Sequence, residues 1–308
     1  MALHIGEATS ITFKTMPYIF LRLLVYSIFG ICFSLYWVAV YFVGALVAPL
    51  HQYAQAGVWI LALLISFPIV KLVREYFLYV LKAGHVAVMA ELVTKGSLPE
   101  GVSQLVWGKE KVQKTFKEVS VLFLVDRLVA GVISAINGIM SRMGDAFSGI
   151  PGLSSLVQFA NLVLKFSLTY VDEAILARNF VTEKESIWES AKVGLVLYAQ
   201  IWRQILGTAM ILGFIAILLY IVLTAALLIP FLGLAHILNL PEATFAGIAG
   251  AAIFAAVLKF AIFDPWTLAN MIVVYLKETQ GKVPDASWES KLAAVSKKFR
   301  KIQEKAAS

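Results

Sequence analysis

Four runs of this chain are apolar for longer than a globular core can use, and they decide which solvent it folds in. The first is Tyr18 to Val47, with aromatic residues throughout. The second runs from Val58 through Val70 and continues, with charges, to Leu81, and Pro68 predicts a kink in it. The third covers Ile205–Ile229 and is expected to end at Pro230, and the fourth starts near Ala243. A transmembrane helix needs about 20 mostly apolar residues. The composition agrees: 60% of the residues are hydrophobic and 15% charged, against about 45–50% and 25% in soluble domains. The first run lacks the small-residue cleavage site of a signal peptide and is longer than an h-region. The fold class expected is therefore an all-α integral membrane protein, a polytopic bundle of four transmembrane helices and up to six, with amphipathic cytoplasmic helices.

Basic residues orient the spans. The loops Leu50–Gly57 and Phe231–Thr244 contain no Lys or Arg, whereas Lys71, Arg74, Lys82 and Lys95 follow the second run and Lys277, Lys282, Lys291 and Lys297 follow the last. Both termini are thus expected in the cytoplasm of a plasma or bacterial inner membrane. The net charge of +7 is placed to meet an anionic leaflet rather than nucleic acid.

Two middle segments leave the span count open. Residues 119–140 are long enough to cross but carry Asp126 and Arg127, and residues 153–180 carry Lys165, Asp172, Glu173 and Arg178. If both cross, there are six spans; if both lie at the interface, there are four. In the second segment Ser154, Gln158, Asn161, Lys165, Thr169 and Asp172 recur every three or four residues, a polar stripe down an apolar helix. The resulting organisation is a cytoplasmic N-terminus (1–17), a transmembrane hairpin (18–81), a cytoplasmic amphipathic segment (82–118) and the polar-striped pair (119–180). A second hairpin with a broken last helix (181–276) and a basic amphipathic tail (277–308) complete it. In the tail, Trp288, Leu292, Val295, Phe299 and Ile302 share one face and basic residues fill the other. Such a helix either lies on anionic lipid or docks on the protein's own cytoplasmic face.

Enzyme chemistry finds no motif. The chain has no GxSxG, no P-loop and no His-carboxylate pattern, and His4, His51, His85 and His236 are scattered. The lone Cys32 offers no disulfide and no metal spacing, and no cofactor is expected. Ionisable groups inside apolar segments are costly and mark sites or interior pairs. That makes Asp264, Lys259, Lys165, Asp126, Arg127 and Asp172 the candidates, with Asn161 on the polar stripe. In "FDPW" Asp264 fits an N-cap and Pro265 a first helical position, so the last helix is expected to stop near Phe263 and restart at Pro265. At the midplane a broken helix can build a transporter site; near the cytoplasmic rim it is a capped hinge. Arg127 with Asp172 or Glu173 would make an interior pair. The small-residue faces Gly247–Ala252 and Ala130–Gly138 predict close helix packing, within or between subunits, so a homo-oligomer is among the expected partners, with the lipid bilayer.

Two stretches of the C-terminal half resemble the choline transporter-like family. In Asn179–Leu206, Ser190, Ala191 and Lys192 match a run that opens a helix leading into a span. Phe263–Gly281 is similar to that family's last span, with Asp264 at the position of an Asp before an apolar run, a charged helix end and a basic tail. The resemblance covers Phe116 to Lys305. Pro265 departs from the family pattern, and the chain lacks the family's large cysteine-bearing ectodomain. The resemblance implies solute translocation, of a choline-like amine, with Asp264 as the position carried over. The function expected is a transporter or channel for a small solute or ion. The alternative is a non-catalytic membrane scaffold or a subunit of a larger membrane assembly.

Overall fold

The computed structural model describes residues 4–51, 53–73, 78–116, 121, 124–135, 170–182, 186–239 and 243–308. Lys165 and Asn161 therefore lie outside the described residues, as does most of the polar stripe. Among the described residues there is no strand. The helices are α1 (Ile5–Lys14), α2 (Met16–Val47), α3 (Ala54–Val73), α4 (Tyr79–Lys95), α5 (Gln104–Phe116), α6 (Ile187–Ile237), α7 (Ala243–Leu258), α8 (Asp264–Thr279), α9 (Ala286–Val295) and α10 (Lys297–Ala307). Residues 124–135 and 170–181 are also helical. Among the described residues four helical runs are long and apolar enough to cross a membrane: Met16–Leu50, Ala54–Val73, Ile187–Ile237 and Ala243–Thr279.

Helix α6 corrects one expectation. It does not end at Pro230 but continues to Ile237, and its one non-helical residue is Ile201, at φ −112° and ψ 17°. A proline removes a single backbone hydrogen bond. In an apolar setting the rest of the helix has no other way to satisfy its main chain, so it runs on.

The chain forms two compact units. One comprises residues 19–82 and 219–262, the other residues 1–18, 83–218 and 263–308. The first is a close-packed apolar unit keyed by glycine. An added Cβ on Gly247 would lie 2.8 Å from Leu232 Cα, one on Gly250 2.6 Å from Phe231 Cδ1, and one on Gly30 3.1 Å from Val257 Cγ2. The predicted small-residue face of α7 is thus a packing face. Tyr36 Oη donates to the Ala62 carbonyl at 2.7 Å and Tyr220 Oη to the Ala252 carbonyl at 3.3 Å, so both hydroxyls are satisfied by main chain. The outward residues are apolar, with Leu46 at 78% and Phe67 at 75% exposure. Patches of that scale mark a surface that meets a membrane or another protein.

The other unit has a deeply buried centre built from Ala83–Leu92 of α4, residues 170–180, the start of α6 and Pro265–Tyr275 of α8. Tyr275 Oη donates to the Gly194 carbonyl at 2.9 Å, at a point where glycine lets the helices approach. Helix α1 packs along α8, through Trp266 Nε1–H donating to Thr9 Oγ1 at 2.9 Å and through an ion pair of Lys277 with Glu7.

The tail departs from a single amphipathic helix. Ser296 is extended, at φ −129° and ψ 110°, ends α9 and caps α10 by accepting from the Phe299 amide. Leu292, Phe299 and Ile302 are buried, while Val295 is 51% exposed. The break re-aims the second half so that its apolar residues pack inside this unit, and Val295 drops out of the face.

Candidate functional site at the π turn

The Asp-Pro pair does not break the last helix. Helix α7 passes into a π-helical turn, Lys259–Phe263, and α8 follows without interruption from Asp264. Phe263 stays in the right-handed helical region, at φ −83° and ψ −40°, so Asp264 is the first residue of α8 and not its cap. The physical reason is the proline. In a regular α-helix its ring would strike the carbonyl four residues back and leave that oxygen unbonded. Widening one turn to i→i+5 spacing gives the ring room without ending the helical run.

Released from capping, the Asp264 carboxylate reaches across the unit. Tyr170 Oη donates to Asp264 Oδ1 at 2.8 Å. The tyrosine is only 6% exposed, so this charge-assisted bond is largely shielded from water. Pro265, Thr267 and Asn270 follow Asp264 along α8 and are buried, and Asn270 Nδ2 donates to the Trp266 carbonyl at 2.9 Å. The Trp266 ring lies 5.2 Å from that of Phe263. A π turn, a half-buried carboxylate and buried polar neighbours thus coincide over a few residues of α8.

The other described candidates lie on three separate elements. Lys259 opens the π turn with its ammonium 4.6 Å from the centre of the Phe260 ring. Asp126 is half-buried and Arg127 exposed, on a helical stretch whose buried side is Val125, Leu128, Val129, Val132 and Ile133. Asp172 is half-buried and its Oδ1 accepts from the Glu173 amide at 3.0 Å. Gly131, in the second small-residue face, lies under the Lys298 side chain. Among the described residues no group of three or more His, Cys, Asp or Glu side chains could hold a metal ion. Sequence reasoning missed Tyr170 and Trp266. Tyr170 sits next to the dense "VDEAILAR" run, but no local pattern links it to a carboxylate 94 residues away.

Comparison with protein-family models, curated proteins and solved structures gave no match. The similarity of Asn179–Leu206 and Phe263–Gly281 to the choline transporter-like family rests on the sequence pattern alone.

Proposed function

We propose that the protein is a membrane transporter or channel that moves a small solute or ion, with Asp264 as the group the solute meets. One observation carries this. A carboxylate is held by a buried tyrosine at a π turn in a helix apolar enough to cross a membrane, and π turns inside helices recur at functional sites. A carboxylate suits a cation, and a choline-like amine is the class that the sequence resemblance implies. In this proposal both termini are cytoplasmic, in a plasma or bacterial inner membrane, the basic faces of α9 and α10 meet anionic lipid, and copies associate through the exposed apolar faces.

A second reading is favoured by a different observation. No Asp, Glu, Lys or Arg occurs between Leu23 and Val70, between Gln204 and Pro241 or between Ala243 and Leu258. Along those stretches a path for a charged solute would have no charged lining, and the buried Arg22 stands at one end of the first of them. That suits a non-catalytic scaffold, or a path shared between copies.

Uptake into proteoliposomes separates the two. Under an imposed gradient, a labelled quaternary amine or a monovalent cation should accumulate with the parent protein, and Asp264→Asn should reduce the rate at least tenfold. No flux of either solute in any gradient direction, from protein of normal melting behaviour, would leave the scaffold reading. Orientation is read separately: a cysteine at Tyr53 or Asn239 should label from outside intact cells, and one at Ser308 only after permeabilisation.

A further inference from the structure

Two oxygens on α8 have nothing to bond. Thr267 Oγ1 and Asn270 Oδ1 are fully buried, and neither has a hydrogen-bond partner among the described residues. A threonine inside a helix can return its hydroxyl to the carbonyl four residues back. Thr12, Thr94, Thr224 and Thr279 all do so, at 2.7–2.9 Å. Thr267 does not. Asn270 is oriented by its own bond. The Trp266 carbonyl can only accept, so the atom facing it is Nδ2, and Oδ1 is the one left over. A buried polar atom without a partner is costly, and such atoms are rare in native proteins unless a ligand, ion or water belongs there.

Helix spacing puts both oxygens next to Asp264. Asp264, Thr267 and Asn270 stand three residues apart along α8, and residues so spaced are neighbours with Cβ atoms about 5–6 Å apart. Their side chains are short, so a carboxylate, a hydroxyl and an amide oxygen can converge on one small ion. These are the hard oxygen donors that alkali and alkaline-earth cations take. The number of carboxylates sets the charge. One carboxylate with two neutral oxygens balances a single positive charge, whereas calcium sites gather several carboxylates. Tyr170 donates to Asp264 Oδ1, but a carboxylate offers about four lone-pair sites, so that bond leaves it able to take a cation as well. The helical run passes through the π turn into Asp264 without ending. Asp264 therefore does not sit at a free helix start, whose dipole would repel a cation. It is half-buried while Thr267 and Asn270 are buried, which makes the carboxylate the open edge of the three.

We infer that Asp264, Thr267 and Asn270 bind a monovalent metal cation. The inference deepens the proposed function, because it names an ion for the same carboxylate, but binding is read without flux and the two can fail separately. The test uses the full chain in phosphatidylcholine nanodiscs. Sodium or potassium chloride replaces N-methylglucamine chloride at constant ionic strength, and the apparent melting temperature is followed. A ligand of the folded state raises it saturably, and one of the two metal cations should do so. Thr267→Val keeps the shape and removes one oxygen. Disturbing even a supporting group of a metal site costs about tenfold or more in affinity, so Thr267→Val and Asn270→Leu should each weaken the response at least that much. Asp264→Asn should abolish it, and Thr224→Val on α6 should leave it unchanged. If Asn270→Leu fails to fold, the near-isosteric Thr267→Val carries the test. A hydroxyl that is only a buried misfit, or that holds a trapped water, gives a different result: Thr267→Val would then shift the melting temperature equally with and without the metal cation and leave the affinity intact. That outcome overturns the inference, and so does equal stabilisation by N-methylglucamine and both metals. Flux without a cation response leaves transport standing and removes this site. A cation response without flux does the reverse.

Discussion

Replacing Gly108 by alanine would put a methyl carbon 2.1 Å from Tyr18 Oη and 2.7 Å from the Gly84 carbonyl oxygen. Ordinary contacts begin near 3.5 Å. Helices α4 and α5 would therefore have to part by about 0.8 Å on the main-chain side, and Tyr18 would have to turn as well. Tyr18 is only 3% exposed, and its ring stacks on His85 at 4.8 Å and 7°, so it cannot turn without losing that contact. Overpacking costs about 1–3 kcal/mol, and a rigid carbonyl puts this case in the upper half. Alanine returns about 0.8–1 kcal/mol of helix propensity. The net is about 1–2 kcal/mol of destabilisation, or about 2–4 °C in melting temperature at roughly 2 °C per kcal/mol for a chain of this size. The assay is the apparent melting temperature of the full chain in micelles at one fixed scan rate. Gly57→Ala is the control: Gly57 lies in α3 and its added Cβ meets nothing within 4 Å, so it should not fall. Tyr18→Phe in the Gly108→Ala background removes the nearer obstacle and should recover part of the loss. If Gly108→Ala melts at or above the parent temperature while the control is unchanged, the close approach of α4, α5 and Tyr18 does not hold.

Tyr170→Phe removes the donor to Asp264 and should cost about 1.5–3 kcal/mol, the usual value of a hydrogen bond to a charged group. In a double-mutant cycle with Asp264→Asn the two losses should add to less than their sum, and full additivity would count against the pairing. Ser296→Ala removes the cap of α10 and should cost about 1 kcal/mol, with faster amide exchange confined to Lys297–Ala307; exchange unchanged there would sink the assignment. Asp285 caps α9, and the Ser287 N–H holds its carboxyl below the usual value. A depressed folded pKa means stabilisation present above the unfolded value and lost as pH falls through the folded one. Exchange at the Ser287 amide should therefore quicken, relative to intrinsic rates, only below about pH 4, and Asp285→Asn should flatten that response.

The apolar runs were legible because they are as long as a membrane-scale helix, and three of the four helices long enough to cross among the described residues begin near the residues the sequence marked; the third run lies well inside Ile187–Ile237. The glycine faces were legible for the same reason: Gly247 and Gly250 have no purpose on an exposed surface and pack as expected. What was not legible depends on geometry that local sequence does not encode. Asp-Pro is the same dipeptide whether a helix restarts or widens into a π turn, and only the bonding of the preceding five residues distinguishes them. Pro230 looked like a stop because a single proline carries no record of whether the next turn can still close. The tail's periodicity was real, but the break at Ser296 needed the packing of Phe299 and Ile302 to reveal it. Tyr170 and Asp264 are joined only by the fold.

The docking of α10 also fixes what kind of attraction the tail can exert. With Phe299 and Ile302 fully buried inside the protein, the helix has no apolar edge to insert between acyl chains. What it can offer a membrane is charge alone, from Lys297, Arg300 and Lys301, all of them exposed. Attraction of that kind reaches only about 8 Å at physiological ionic strength and fades as salt is added. Any hold that α10 takes on an anionic surface would therefore be one that ionic strength tightens or releases, with no hydrophobic insertion from this helix to make it permanent.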